Sequence, residues 1–353
     1  MVPAEEQVAF LHNVQRLLVE GQFTATYKFA LVLALADLAI EQGSDNAEAE
    51  EVSTSAIAEK FIQYYWRHIK PFATGHGEPV MLRQNLGNSP AIISELTVAA
   101  KSGVTTLAEL KKDSRRWKSI VTRVRQTVCN QPLRYLPTMG STRHSFLYDD
   151  STDIQAGKVV EKIRLEPGVM FCLRRFYDLV TDLVRGAWVR YARRYNADVL
   201  GSPTDLDEFL FGSERAVLQA YVPLLREVQE SRCFYCEREM TSEQAHVDHF
   251  IPWSLYPVDL GHNFVLAHGT CNSAKADHLA AVPHLSRWIQ RNLTAGAHLE
   301  AEFDRLRLLH NWSASTRVAH WAYGRAGIGA MTWNRKSDFE ALPAEWIHLL
   351  RAA

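Results

Sequence analysis

From residue 8 to 41 apolar and polar residues alternate at helical spacing, with Leu17, Leu18, Phe29, Leu33 and Leu35 on the apolar faces. Gly21 separates two predicted helices there, and Gly43 ends the second. A polar, acidic connection, "SDNAEAEEVSTS", leads to a third helix, "SAIAEKFIQYYWRHI", which must stop before Pro71. Residues 73–92 are rich in glycine, proline and polar residues and read as loop. Two helices follow over 92–126, the second being "LKKDSRRWKSIVTRVRQ". Residues 127–168 lose this regularity, and "SFLYDD" and "KVVEKIRL" read as short strands joined by the turn "STDIQAG". One long helix is expected through "VMFCLRRFYDLVTDLVRGAWVRYARRYN". A capped short helix in "SPTDLDEFLFG" and another helix in "SERAVLQAYVPLLREVQE" complete the stretch. At Ser231 the texture changes, and cysteines, histidines and short β-like runs replace helical spacing until about Ala281. Helices then resume at "HLSRWIQRNL" and "HLEAEFDRLRLL" and are expected to continue to the end. The pattern predicts a mainly α protein in three parts: a helical region over 1–230, a small β-containing domain over 231–281, and a helical region over 282–353.

A chain of 353 residues is long for one core, which agrees with more than one domain. Its formal net charge of −1 excludes a protein that coats nucleic acid over its whole surface, so any such contact is a local basic patch. The acidic start "MVPAEEQVAF" lacks the basic opening of a signal peptide. The most apolar run, "FALVLALADLAI", is too short to span a bilayer and contains Asp37. The expected setting is therefore cytoplasmic, with no membrane partner. Five cysteines do not make a disulfide framework, and Cys129 and Cys172 stand among apolar neighbours as small core residues.

The other three cysteines carry chemistry. "CFYC" sets Cys233 and Cys236 in a C-x-x-C, and "HGTC" sets His268 and Cys271 in an H-x-x-C. Two such pairs make a four-ligand Cys₃His site of tetrahedral Zn²⁺ type, and four protein ligands leave no open position, so this zinc is structural. The alternative is that one pair is incidental and no metal binds. Between the pairs lies "HVDHFIP", and directly after Cys271 comes "NSAKAD".

The series C-x-x-C, V-D-H-F-I-P, N-F-V-L, H-x-x-C-N-x-x-K resembles the HNH nuclease family, whose fold is the ββα-metal finger; the resemblance covers 231–281. It implies an endonuclease that hydrolyses DNA phosphodiester bonds. It implies Asp248 as a catalytic metal ligand, His249 as the general base, and Asn263 as the brace of the loop that carries the histidine. Asn272 is implied as the second metal ligand, and Lys275 as a basic residue beside the scissile phosphate. Asn272 stands where the motif's last histidine would be, and His268 replaces one knuckle cysteine; both keep the chemistry. The flanking helical regions are similar to those of bacterial HNH proteins, some of the restriction or phage-defence kind. That similarity implies a homodimer or defence-system proteins as possible partners.

The residues support the same chemistry without the family. A neutral imidazole takes a proton from water near neutral pH. A cation on the hard oxygens of Asp248 and Asn272 would be Mg²⁺ or Mn²⁺. Adjacent strand residues face opposite ways, so the strand must end or bulge at Asp248–His249 for both to meet one phosphate. The rival readings are a non-catalytic zinc module for nucleic-acid binding or assembly, and RNA as the substrate. His246, His262, His278 and Trp253 read as neighbours rather than participants. Two basic runs, Lys111 to Arg125 and Arg174 to Arg194, could face phosphate or be salt-bridged surface.

Overall fold

A computed structural model describes residues 2–72, 78–85, 90–198, 200, 206–212 and 218–352. The cap of "SPTDLDEFLFG", the opening of "SERAVLQAYVPLLREVQE" and part of the 73–92 loop lie outside the described residues. The chain is 57% helical with small two-stranded sheets, a mainly α fold with a ββα finger in its C-terminal part. It divides into two units, Met1–Gly212 and Ser213–Ala353. Among the described residues no helix is long and apolar enough to cross a membrane.

The first unit is organised around the helix Tyr27–Gln42, in which every residue from Tyr27 to Ile40 is buried. A helix apolar all round sits inside a core rather than at its edge. Its buried carboxylate, Asp37, accepts from the hydroxyls of Tyr64 and Tyr177, each at 2.7 Å, with the Lys60 ammonium 3.8 Å away. Burying that charge is tolerable because it is paired and hydrogen-bonded. Ala4–Glu20, Thr54–His68, Val169–Arg175 and Tyr177–Tyr195 are further helices of this unit.

Several predicted elements differ. Over 92–126 there are three helices, Ala91–Lys101, Leu107–Lys112 and Ser114–Val128, because Asp113 caps the last by accepting from Arg116 N. The long helix breaks at Phe176. Lys162–Arg164 pairs with Glu51–Ser53 rather than forming a hairpin with "SFLYDD", which keeps only the Tyr148–Leu165 bridge. The intended turn is a short helix, Thr152–Gln155.

Part of each basic run is structural. Arg174 is buried, bonded to Asp45 Oδ1 at 2.6 Å and to the Ala39 carbonyl at 2.8 Å. Arg185 lies over Phe211 at 5.3 Å, and Lys111 over Trp117 at 5.2 Å. Arg123 pairs with Glu95, and Arg125 donates to Thr54 Oγ1. Lys112, Arg115, Lys118, Arg175, Arg190, Arg193 and Arg194 are exposed.

In the second unit, strands Ala245–His249 and Phe264–His268 pair antiparallel, Asp248 opposite Val265 and His249 opposite Phe264. The helix Gly269–Lys275 follows directly, completing ββα order. The helices Val282–Thr294, Gly296–Leu306 and Trp312–Ala326 come next. Helical structure is interrupted by a hairpin before a last helix, Trp346–Arg351. Met331–Arg335 and Asp338–Ala341 form a hairpin, because the Trp333 main chain bonds both Leu279 O (2.8 Å) and Ala281 N (2.7 Å). The finger packs on Val282–Thr294: Trp288 stacks on Phe250 at 5.0 Å and 6° and donates to His262 O at 2.8 Å.

His262 is buried among Phe303, His310 and Trp312, and neither ring nitrogen has a hydrogen-bond partner among the described residues. Burial, then the His310 and Arg291 charges, push it down to about 3. The unfolded ring takes a proton below about 6.5 while the folded one resists to about 3, so His262 favours the folded state above 6.5 and loses that contribution between the two values. Melting temperature followed from pH 7 to pH 4 should therefore fall less steeply for His262→Phe than for the unmutated chain; parallel curves would contradict this.

Candidate active site and metal centre

Cys233 and Cys236 flank a tight turn, in which Cys233 O accepts from Glu237 N at 2.8 Å and Cys233 N donates to Arg238 O at 2.9 Å. His268 ends the second strand, and Cys271 lies in the first turn of the helix Gly269–Lys275. The ligand atoms of the four residues all lie within 4.8 Å of one another. Tetrahedral Zn²⁺ with Zn–S near 2.3 Å needs donor–donor edges of about 3.8 Å, so the cluster has the right size. His268 turns Nδ1 to the thiols, 3.3 Å from Cys236 Sγ, while Nε2 faces the Glu239 carbonyl at 3.2 Å. Such an outer partner fixes the tautomer of a metal-binding histidine. Burial, reinforced by the neighbouring Cys233 and Cys236 thiols, pushes Cys271 up to about 12. A cation is what allows such a group of thiols to ionise together. The donor set suits zinc.

The first strand ends at His249, with regular pairing up to that residue and no bulge. Phe250 N then donates to Asn263 O at 2.8 Å. The Asn263 carboxamide accepts from Ile251 N at 2.8 Å and donates to Ile251 O at 3.0 Å, pinning the chain just beyond His249. Asp248 is buried and His249 partly exposed, on opposite sides of the strand. Asp248 Oδ2 accepts from the Tyr235 hydroxyl at 2.5 Å and lies 3.2 Å from Lys275 Nζ. Asp248 Oδ1 has no hydrogen bond among the described residues. Asn272 is half-buried, and its side chain likewise has no such partner.

Lys275 differs from the expected arrangement. It is fully buried, and its ammonium donates to His249 O at 2.9 Å besides pairing with Asp248. Helical spacing alone put it on the Asn272 face toward a phosphate. The helix ends at Lys275, however, with Ala276 at φ +46°, and the lysine turns inward to a buried carboxylate.

Two residues escaped the sequence reading. Asp259, ten residues beyond His249, places Oδ1 2.8 Å from His249 Nε2. An aspartate in a loop carries no spacing signal. Tyr235 sits between two zinc ligands, where only its neighbours drew attention. Its burial, then the Asp248 charge, hold its hydroxyl well above the ordinary tyrosine value, so it stays protonated and donates.

The remaining histidines stay apart from this group. His246 is exposed and lies over Gly269, where a β-carbon would come 2.9 Å from its Nε2. His278 packs edge-on against Phe339 at 4.8 Å. Trp253 packs beside the His249 ring at 5.3 Å.

Two family models match the chain. One, described as "Domain of unknown function (DUF8808)", matches residues 7–208, more than half of it. The other, described as "HNH endonuclease", matches residues 233–278. No curated protein and no solved structure matches. The second match contains the Cys₃His cluster, the Asp248–His249 pair and Asn272.

Elemental analysis of the purified chain should find about one zinc per chain. Cys271→Ser should bring that close to zero and lower the melting temperature. Because the thiols must lose their protons to bind, zinc should also be released on acidification. A metal-free chain that melts like the loaded one would contradict this.

Proposed function

The chain belongs to the family described as Domain of unknown function (DUF8808), and from the HNH endonuclease domain it also carries we infer that it is a metal-dependent endonuclease acting on DNA. One observation carries the reading: His249 stands at the end of a strand beside Asp248, with one ring nitrogen already engaged by Asp259. A carboxylate accepts, so Nε2 holds the proton and Nδ1 keeps its lone pair. That lone pair takes the proton of an attacking water. Asp248 Oδ1 and the Asn272 carboxamide oxygen are hard donors of the kind Mg²⁺ or Mn²⁺ takes. A divalent ion held there would neutralise phosphate charge and stabilise the leaving 3′ oxygen. Attack by the water on phosphorus breaks the P–O3′ bond and leaves a 5′-phosphate and a 3′-hydroxyl. One finger gives one such site, so a single chain nicks one strand, and a double-strand break needs two chains or two events. On the resemblance of the flanking helical regions alone, we read its setting as restriction or phage defence.

Supercoiled plasmid incubated with the zinc-loaded chain and Mg²⁺ or Mn²⁺ should become nicked circles. His249→Ala should lose roughly 10²-fold or more in rate, as for removal of a general base. Asn272→Ala should also be severely impaired, and Asp259→Asn should fall between these variants and the parent. RNA of matching sequence should stay intact. Equal nicking by the parent, His249→Ala and Asn272→Ala would overturn the assignment. Fewer plaques on cells expressing the parent than on cells expressing His249→Ala is the outcome expected for phage defence.

A further inference from the structure

Asp248 is held from two sides, and both arms grow out of the zinc clip. Tyr235 lies inside the C-x-x-C turn, between Cys233 and Cys236, and its hydroxyl reaches Asp248 Oδ2 at 2.5 Å. Lys275 lies one helical turn after the zinc ligand Cys271, on the same helix, and its ammonium is 3.2 Å from the same oxygen. Neither arm is free to wander. The Tyr235 ring packs edge-on against both Trp333 (5.1 Å, 89°) and His284 (5.3 Å, 89°), which stack on each other. Lys275 is tied at the same time to the His249 carbonyl at 2.9 Å. Both donors take Oδ2, which leaves Oδ1 as the oxygen to meet a cation. A zinc ion held by Cys233, Cys236, His268 and Cys271 would join the turn to the helix and fix the spacing of the two arms.

We propose that Tyr235 and Lys275 are positioning residues that couple the zinc clip to Asp248, so that the clip governs how tightly the site takes its catalytic divalent cation. The proposal rests on the reading of Asp248 as a ligand of that cation. It gives the tyrosine a chemical task and makes Lys275 a counter-charge beneath the carboxylate instead of a phosphate contact. Outer partners of metal ligands commonly govern affinity by about 10- to 100-fold.

The test uses the full chain loaded with zinc and titrated with Mn²⁺, with free Mn²⁺ followed by electron paramagnetic resonance. Tyr235→Phe keeps the ring and its packing and removes only the donor. It should retain one zinc per chain, bind Mn²⁺ about 10- to 100-fold more weakly, and regain most of the parent's kcat when Mn²⁺ is saturating. Asp248→Asn and Asn272→Ala are run beside it. If both weaken Mn²⁺ binding while Tyr235→Phe binds like the parent, the coupling is refuted and the cation site stands. If neither changes Mn²⁺ binding, the cation site itself is refuted, and the coupling with it. A second measurement spares the variant: with ¹³Cζ-tyrosine in the unmutated chain, Mg²⁺ should shift the Tyr235 signal, and an unmoved signal would refute the coupling.

Discussion

Four side chains closing on one point constrain everything else in the finger. Between Cys233 and Cys271 there are two five-residue strands, short 3₁₀ turns and long irregular stretches, too little regular structure to hold a reactive group to a fraction of an ångström. Joining the Cys233–Cys236 turn to the His268–Cys271 junction closes the segment upon itself. A metal link of this kind supplies folding free energy that so small a core lacks. The C-terminal helix Val282–Thr294 does the rest. Arg287 donates to Phe234 O at 2.8 Å and pairs with Glu237 on the turn, and Arg291 donates to Phe264 O at 2.6 Å. Burial pushes Arg291 down to about 9, and its three hydrogen bonds to Phe264, His262 and Asn292 hold it in place. The finger is thus embedded in its unit rather than appended to it.

The charges of the site come in pairs of unlike depth. Asp248 and Lys275 lie in the interior, where a lone charge would cost several kcal/mol, roughly, and a hydrogen-bonded pair is tolerated. His249 and Asp259 lie nearer the surface. The strand's two faces therefore hold a carboxylate on one side and an imidazole on the other. The geometric demand that the proposed roles of these two adjacent residues make is met without a bulge: the strand simply ends.

In the N-terminal unit, some of the arginines that would serve a nucleic-acid surface have been turned to internal use. Arg174 closes the C-terminal end of Tyr27–Gln42 by bonding the Ala39 and Ile40 carbonyls, where a cation complements the helix dipole. Arg116 holds Ala99 O and the Ser102 hydroxyl. A long planar donor fork serves helix–helix joints as readily as phosphate, which is why counting arginines along a helix overstates a binding face.

The chemical identity of the finger was legible in the residues themselves. Cys233, Cys236, His268 and Cys271 announce a clip because ligand spacing is a local property, and Asp248, His249, Asn263 and Asn272 follow in an order that local spacing also records. Most helices were legible too, since a 3.6-residue period is written along the chain. The 331–341 hairpin, the partner of Lys162–Arg164, the inward turn of Lys275, and the bonds of Tyr235 and Asp259 were not. Each depends on a residue distant along the chain, Leu279 for Trp333, Val52 for Ile163, Asp248 for Lys275 and Tyr235, or on a loop conformation, as for Asp259. The sequence by itself determined which side chains could bind metal and take a proton. Only the tertiary structure decided which charge is buried against which, because burial and pairing are properties of the packed chain and leave no period in its letters.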